Sequence, residues 1–236
     1  MSRWACRAIL FDLFDTLCQI DPDLYLAGKQ KAAARLGLPA AEFLQAWVAA
    51  GDEAQVGLIA DAAARVRRAA ALLGAPPPEE AAVREVVETE RALLARATRL
   101  HPDVLPALEG LAGHGDRPMA LVSNASSGAV ELFEGLGLAR FFAAAIWSFR
   151  VGVAKPDPAI YLAACEAIGR PPGDCLFVGD GNALELDGAR ALGMRAVRIE
   201  RRFSIPAYRR EESRSFDASI DDLRRLADLL APASSG

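Results

Sequence analysis

The sequence predicts an α/β fold in which a parallel sheet carries helices on both faces and an all-helical domain is inserted after the first strand. Two observations lead to this prediction. From His101 onward, short apolar runs alternate with segments of helical periodicity, an order typical of parallel strands joined by crossover helices. Between Asp21 and Leu100 the chain has helical periodicity throughout and contains no candidate strand.

The pattern of apolar residues changes from that of a strand to that of a helix between the first strand and the helical insertion. Residues 7–13, RAILFDL, form an apolar run with the length of a buried strand. The block that follows is rich in Ala, Leu, Arg and Glu, and its last helix has acidic residues in the first turn, after the linker APPP. We therefore predict a core of residues 1–18 and 98–236 and a helical domain of residues 19–97.

The second half of the chain supplies the other strands and helices of the core. Four further apolar runs are predicted as strands, which gives a sheet of about five or six strands. A last helix is predicted over residues 217–230. The four strand segments read RPMALVSNAS, FFAAAIWSF, DCLFVGDG and RAVRIE, and the helices between them read GAVELFEGLGL, PDPAIYLAACEAIG and ALELDGARALG.

Composition and charge exclude several classes of protein. Of the 236 residues, 52% are hydrophobic and 25% are charged, as in an ordinary globular protein. The net charge of −4 offers no basic surface for nucleic acid. No apolar run approaches the ~20 residues of a membrane span. With no signal-peptide pattern and four cysteines that lack CxxC or zinc spacing, we expect a cytoplasmic protein with buried, unpaired thiols.

Polar residues follow three of the predicted strands. Asp12 ends the first strand, Ser123 and Asn124 end a second, and Asp180 ends a third, while Lys155 follows a short loop after a fourth. Each has an ordinary structural explanation, such as a helix cap or a turn. Ligands of an open parallel sheet bind beyond the carboxyl ends of its strands, so the combination predicts one polar site at that edge.

These residues and their surroundings resemble the motifs of the haloacid dehalogenase-like (HAD) hydrolase superfamily. The resemblance covers the whole chain, because the helical insertion stands where that family has its first-type cap domain. It implies a Rossmann-like core with a helical cap. The matching segments are FDLFDTL (11–17), LVSN (121–124), AKPDPAIY (154–161) and FVGDGNALELDGARALGM (177–194).

The resemblance implies a Mg²⁺-dependent phosphatase that acts through an aspartyl-phosphate on a small phosphorylated substrate. Asp12 would be the nucleophile and Lys155 would balance its charge. The phosphate would be bound by Ser123 and by the backbone N–H of Asn124, with Thr16 fixing the loop around it. The implied Mg²⁺ ligands are Asp12, the backbone carbonyl of Phe14, Asp180 and Glu185, the last at a position where the family usually has Asp.

The sequence departs from the phosphatases of this family at Phe14. Those enzymes have there an acid that protonates the leaving alcohol and later activates water, and the loss of such a group typically costs about 10²–10⁴ in rate. Asp15 stands where the family usually has Gly. It either leans into the site as a substitute acid or serves as a turn carboxylate.

Three functions are therefore open. The first is a slow or narrow Mg²⁺-dependent phosphatase. The second is a 2-haloacid dehalogenase, a group with an aromatic residue at the position of Phe14 and an Asn after the second-strand Ser. That group lacks the acid found here at Asp180. It also has an arginine early in the cap that binds the halide and the carboxylate. Arg35 is the nearest arginine to that position, but the residues around it do not match those of the dehalogenases. The third is a non-catalytic protein that binds a phosphorylated ligand.

The helical insertion carries three more arginines whose role the sequence leaves open. Arg65, Arg67 and Arg68 either meet an anionic substrate or form a solvated helix face.

Overall fold

The computed structural model describes residues 4–113 and 117–231. Its strands are β1 (Ala8–Phe11), β2 (Cys18–Ile20), β3 (Thr98–Leu100), β4 (Met119–Ser123), β5 (Ala144–Trp147), β6 (Cys175–Gly179), β7 (Arg195–Ile199) and β8 (Ala218–Ile220). Its α-helices are α1 (Pro22–Arg35), α2 (Ala40–Gln55), α3 (Ala62–Leu72), α4 (Glu80–Ala97), α5 (Val104–Ala112), α6 (Gly128–Gly135), α7 (Ser148–Val151), α8 (Pro158–Ala167), α9 (Glu185–Ala191) and α10 (Leu226–Leu229).

Six strands form one parallel sheet in the order β5-β4-β1-β6-β7-β8. β1 lies in the middle, with Leu10 paired to Ala120 of β4 on one side and to Phe177 of β6 on the other. The chain leaves β1 for one half of the sheet and later returns to build the other half. The carboxyl end of β1 is therefore the point where the strand order reverses, which is where open parallel sheets bind ligands.

Both faces of the sheet are covered, as the prediction of helices on both sides requires. Alternate residues of β1 enter two separate apolar cores, Ile9 and Phe11 on one face and Ala8 and Leu10 on the other. All four are fully buried. This explains why the strand is apolar throughout rather than alternating.

The inserted helical domain consists of α1 to α4. Asp21 caps α1 by accepting hydrogen bonds from the backbone N–H groups of Asp23 and Leu24, and Pro22 occupies the first turn. The four helices bury an apolar core of their own, around Phe43 and Trp47. Among the described residues 25–95 there is no strand, as predicted.

A short antiparallel ribbon joins the helical domain to the core. β2 pairs with β3, with Cys18 opposite Leu100 and Ile20 opposite Thr98. The chain thus enters and leaves the insertion at one place. These three-residue strands were not predicted, because each is too short to show an alternating pattern.

The predicted helix over residues 217–230 is wrong in its first half. Residues 218–220 form β8, which pairs with β7 through Val197 and Ala218 and completes the six-stranded sheet. Asp222 then caps a single 3₁₀ turn by accepting from the N–H of Arg224, and only Leu226–Leu229 is α-helical. The helical spacing of the leucines extends the prediction over a segment that the sheet edge takes up instead.

All four cysteines are buried and unpaired, as expected. Within the described residues, none of the helices combines the length and the apolarity that crossing a bilayer requires.

Candidate active site

The predicted polar residues meet at the carboxyl edge of the sheet. Asp12 follows β1, Ser123 ends β4 and Asp180 follows β6, and all three are buried. The loop after α7 brings Lys155 to the same place, and the start of α9 brings Glu185. The structure therefore assembles the set from five different parts of the chain.

Lys155 lies between two carboxylates. Its Nζ donates to Asp12 Oδ1 at 2.5 Å and to Glu185 Oε2 at 2.6 Å. Burial alone would lower the pKa of Lys155, but Asp12 and Glu185 outweigh it and the net pKa is raised. Burial raises the pKa of Glu185 well above its ordinary value, opposed by Lys155. The lysine is thus a fixed cation at the centre of the site.

The side chain of Asn124 holds the backbone of the Lys155 loop. Its Oδ1 accepts from the N–H of Lys155 at 2.7 Å, and its Nδ2 donates to the Lys155 carbonyl at 3.0 Å. Nearby, Ser148 Oγ bonds to both the N–H and the carbonyl of Ala125. The predicted role of Asn124 concerned its backbone N–H; its side chain has this second role, which the sequence did not indicate.

Three carboxylates of the site suit a hard divalent cation. Oxygen atoms of Asp12, Asp180 and Glu185 all lie within 4.8 Å of one another, and all three residues are buried. Burial and the neighbouring Asp12 raise the pKa of Asp180. A buried group of like charges is stable only with cations beside it, and oxygen ligands in this number are those that Mg²⁺ prefers. The residues present therefore fit the implied metal.

Two buried hydroxyls at this edge have no hydrogen-bond partner among the described residues. They are Thr16 Oγ1 and Ser123 Oγ, both on fully buried residues. An unpaired buried polar atom costs about 1–3 kcal/mol, so it is rare unless a ligand satisfies it. Both residues were predicted on the basis of the family resemblance to surround a phosphate.

Phe14 and Asp15 lie in the turn that follows Asp12. Phe14 is half-buried and packs against the core. Asp15 has φ = 57°, in the left-handed region where residues other than glycine are uncommon. Its carboxylate accepts from the backbone N–H of Ser204 at 3.1 Å and from the Ser204 hydroxyl. Burial raises the pKa of Asp15 to about 6, against the effect of these hydrogen bonds.

The loop between β7 and β8, residues 200–217, contributes residues that sequence reasoning missed. Arg209 Nη1 lies 3.0 Å from Asp180 Oδ2. The Tyr208 carbonyl accepts from Asn182 Nδ2 at 3.3 Å, two residues beyond Asp180. Arg210 reaches the helical domain and pairs with Asp52 at 2.7 Å. This loop matches no motif, and its partners are distant in sequence, so no local pattern indicates its role.

A cavity of about 1270 Å³ lies between this edge and the helical domain. Asp12, Asp15 and Lys155 line it from the core. The side chains that line it from the helical domain include Tyr25, Lys29, Trp47, Arg65 and Glu90.

The arginines of the helical domain divide into two groups. Arg65 faces the cavity, whereas Arg67 and Arg68 form ion pairs at the surface, with Glu80 and Glu53. Arg35 also pairs at the surface and does not line the cavity. The solvated-face interpretation therefore holds for Arg67 and Arg68 but not for Arg65.

Comparisons of the sequence and of the structure with known proteins both find haloacid dehalogenase-like hydrolases. A family model described as haloacid dehalogenase-like hydrolase matches residues 6–193. A phosphoserine phosphatase from Thermus thermophilus is 30% identical over 198 residues, which are 82% of this chain and 70% of that protein. A glyceraldehyde 3-phosphate phosphatase from Methanopyrus kandleri is 32% identical over 130 residues; the match spans 55% of this chain and only 56% of that protein.

Among solved structures, a 2-haloacid dehalogenase from Pseudomonas syringae pv. Tomato superposes with a TM-score of 0.68. The superposition covers 95% of this chain and 97% of the other, at 24% identity. At that identity the likeness concerns the fold alone.

Proposed function

Because the chain belongs to the haloacid dehalogenase-like hydrolase family, whose model matches residues 6–193, we propose that this hydrolase is a Mg²⁺-dependent phosphatase. It would act through an aspartyl-phosphate on a small phosphorylated metabolite. The observation that carries the proposal is the buried group of Asp12, Asp180 and Glu185 around Lys155. The family resemblance implies that 2-haloacid dehalogenases lack the acid found here at Asp180.

In the proposed reaction, Asp12 attacks the phosphorus atom. The bond between phosphorus and the leaving oxygen breaks, and an acyl phosphate forms on Asp12. Water then attacks the phosphorus, which releases phosphate and restores the carboxylate. Lys155 stabilises the negative charge that gathers around Asp12, as a compact ammonium already in contact with it.

The metal would be held by the carboxylates of Asp12, Asp180 and Glu185 and by the backbone carbonyl of Phe14. When bound, Mg²⁺ neutralises the charge of the phosphate, which otherwise repels an attacking carboxylate. Ser123 Oγ would donate to a phosphate oxygen, together with the N–H of Asn124. Thr16 Oγ1, which is also unpaired, would take part in the same network.

Phe14 determines which substrates suit the enzyme. It has no proton to give to a leaving alcohol, and the nearest carboxylate in the sequence, that of Asp15, is bound to Ser204. Substrates whose leaving group departs without protonation, such as aryl or acyl phosphates, should react best. Hydrolysis of the acyl phosphate on Asp12 should be slow, because no carboxylate at position 14 activates the water.

The helical domain would act as the cap, with residues 19–97 as its proposed bounds and residues 1–18 and 98–236 as the catalytic core. It would close over the sheet edge and exclude water. The partner is a small molecule rather than a nucleic acid or a membrane, and we place the protein in the cytoplasm, in keeping with the charge and composition.

A 2-haloacid dehalogenase is the second candidate, favoured by the aromatic residue at position 14 and by the Asn that follows Ser123. One experiment separates the two. The purified protein is assayed against phosphorylated metabolites, an aryl phosphate and 2-haloacids, each with Mg²⁺ and with a chelator. Mg²⁺-dependent phosphate release supports the proposal. Metal-independent halide release supports the alternative, and turnover of neither class would indicate a binding protein.

A further inference from the structure

The cap side of the cavity contains a buried ion pair that stability does not explain. Lys29 is only 2% exposed and pairs with Glu90, while its ammonium lies 4.4 Å from the ring centre of Tyr25 and 4.3 Å from that of Trp47. Burial lowers the pKa of Lys29 to about 8, against the effect of Glu90. Removing two charges from water offsets most of their attraction, so a buried pair adds little to stability.

One carboxylate oxygen of Glu90 has no hydrogen-bond partner among the described residues. The Oε2 atom of Glu90 binds Lys29, so this other oxygen is the buried Oε1. The residue lines the cavity, and its side chain is 12% exposed. A hydroxyl or amine of a bound molecule would satisfy this oxygen, which is the outcome that buried polar atoms normally reach.

Arg65 brings a positive charge to the same part of the cavity. Its guanidinium lies 4.1 Å from the ring centre of Trp47, and its Nε and Nη2 donate to the Trp47 carbonyl at 3.3 and 2.8 Å. No carboxylate forms an ion pair with it in the part of the chain that the structure describes. The neighbouring Glu90 is already neutralised by Lys29, so the charge of Arg65 is available to a ligand.

Gly51 makes room for this arginine. A Cβ atom added at Gly51 would lie 2.3 Å from Arg65 Nη2. The missing side chain therefore leaves space for Arg65 over the ring of Trp47, where it faces the cavity.

Tyr208 contacts both Arg65 and the sheet edge. Its hydroxyl accepts from Arg65 Nη2 at 3.2 Å and lies 2.5 Å from the hydroxyl of Tyr25. Its backbone carbonyl, at the other end of the residue, binds Asn182 close to Asp180. Arg65 and the sheet edge therefore line one continuous cavity, with Tyr208 in contact with both, so that one bound molecule can reach Arg65 and the predicted phosphate site.

From these contacts we infer that Arg65 binds a carboxylate at the end of the substrate remote from the phosphate, and that Glu90 accepts a hydrogen bond from a hydroxyl or amine between the two ends. The substrate class is a small phosphorylated carboxylic acid. The guanidinium suits this role, because Nη1 makes none of the hydrogen bonds described above and a charged donor binds a carboxylate strongly. The inference rests on the proposed phosphatase function.

The test uses two phosphonates that the enzyme does not hydrolyse and that differ only at the far end. They are 3-phosphonopropanoate, which ends in a carboxylate, and 3-methylbutylphosphonate, which ends in an uncharged group of the same shape. Binding is measured by titration calorimetry with Mg²⁺ present. The wild-type protein should bind the carboxylate at least about tenfold more tightly, the size of one charged hydrogen-bonded contact.

Three variants locate the preference. Arg65→Gln should reduce the ratio of the two affinities to about one and leave the affinity for 3-methylbutylphosphonate unchanged, which also shows that the variant is folded. Gly51→Ala should reduce the ratio as well, because it displaces Arg65 without removing it, and alanine suits the helix at that position. Arg67→Gln, at a surface ion pair on the same helix, should leave the ratio unchanged.

The outcomes separate the inference from the function on which it rests. Equal binding of both phosphonates to the wild-type protein overturns the inference alone, as does a preference that persists in both Arg65→Gln and Gly51→Ala. Failure of the wild-type protein to bind either phosphonate overturns the proposed phosphatase function, and the inference with it.

Discussion

Arg209 Nη1 lies 3.0 Å from Asp180 Oδ2, so an arginine of the chain contacts a carboxylate proposed to hold Mg²⁺. The guanidinium also packs against the ring of Phe203, and its side chain is 25% exposed. The arginine and the metal would interact with the same carboxylate. We therefore expect the proposed binding of Mg²⁺ to depend on this contact.

The first prediction is that Arg209→Ala strengthens Mg²⁺ binding by about two- to fivefold, the size of a partly exposed ion pair. Calorimetric titration with Mg²⁺ measures the effect. Arg210→Ala is the matched control, since Arg210 pairs with Asp52 instead. Asp180→Ala should weaken binding strongly. Weaker Mg²⁺ binding by Arg209→Ala would mean that the arginine supports the metal site rather than competing for it.

The second prediction concerns the missing acid. Phe14→Asp should increase turnover of an alkyl phosphate by about 10²-fold relative to an aryl phosphate, because only the alkyl leaving group needs a proton. Asp12→Asn should abolish turnover of both. Steady-state kinetics with the two substrates give the ratio directly.

Asp15→Asn is the control for that experiment. The contacts of Asp15 with Ser204 favour a structural role, so this variant should retain most of its turnover. If it is as inactive as Asp12→Asn, and Phe14→Asp gains nothing, then Asp15 supplies the acid and the assignment of Phe14 as a lost acid is wrong.

The third prediction concerns the unpaired hydroxyl of Ser123. Ser123→Ala removes no side-chain hydrogen bond to any residue that the structure describes, so its free energy of unfolding should stay within about 1 kcal/mol of the wild-type value. Its kcat/KM should fall by about 10- to 100-fold, because a donor to a charged phosphate is lost. Denaturant unfolding and kinetics measure the two quantities.

Ser148→Ala is the comparison, since this serine is equally buried but bonds to Ala125. Its free energy of unfolding should fall by about 1–3 kcal/mol, the cost of leaving buried backbone groups unpaired. Equal destabilisation by the two substitutions would show that the Ser123 hydroxyl has a structural partner after all.

The fourth prediction concerns pH. Burial lowers the pKa of His101 to about 4, and the charge of Arg201 adds to this against the effect of Asp103. The unfolded chain binds a proton at His101 below about pH 6.5, whereas the folded protein does so only near pH 4. The contribution of neutral His101 to the free energy of unfolding is therefore fully present above pH 6.5 and is lost as the pH falls towards 4.

Urea unfolding of the wild-type protein and of His101→Gln at pH 7 and pH 4 tests this. The wild-type free energy of unfolding should fall by about 1–2 kcal/mol more than that of the variant, after allowance for solvent screening. The raised pKa of Asp15 acts in the opposite direction, but it is common to both proteins and cancels in the comparison. Equal pH dependence of the two proteins would contradict the prediction.

Much of the core fold could be predicted because its strands are buried on both faces. Such strands appear as unbroken apolar runs, and Leu10 of β1, Val122 of β4 and Phe177 of β6 all belong to runs of this kind. β8 could not be predicted in the same way. It has only three residues and lies at the edge of the sheet. Because Ser219 is exposed, Ala218 and Ile220 are its only apolar residues, which is too short a pattern to predict a strand.

Some residues of the candidate site could likewise be predicted from the sequence, and others could not. Asp12, Ser123 and Asp180 could be predicted because each stands at a strand end, where a change from apolar to polar residues is visible locally. Ser204 and Tyr208 could not, because they act through partners far away in the sequence, Asp15 and Tyr25 among them. Nothing in the order of residues 200–217 indicates which side chain will turn towards the site.

The ribbon of β2 and β3 makes the helical insertion a loop closed at its base by Ile20 and Thr98. The entropy of closing a loop grows only slowly with its length, by about 0.6 kcal/mol for each doubling. The sheet therefore gains or loses little when the enclosed segment is lengthened, shortened or exchanged. In the proposed enzyme, substrate selection and catalytic chemistry can accordingly change in separate steps, because the chain enters and leaves the insertion through this one ribbon. A different insert on the same two strands would present a new cavity wall to an unaltered Asp12 and Lys155.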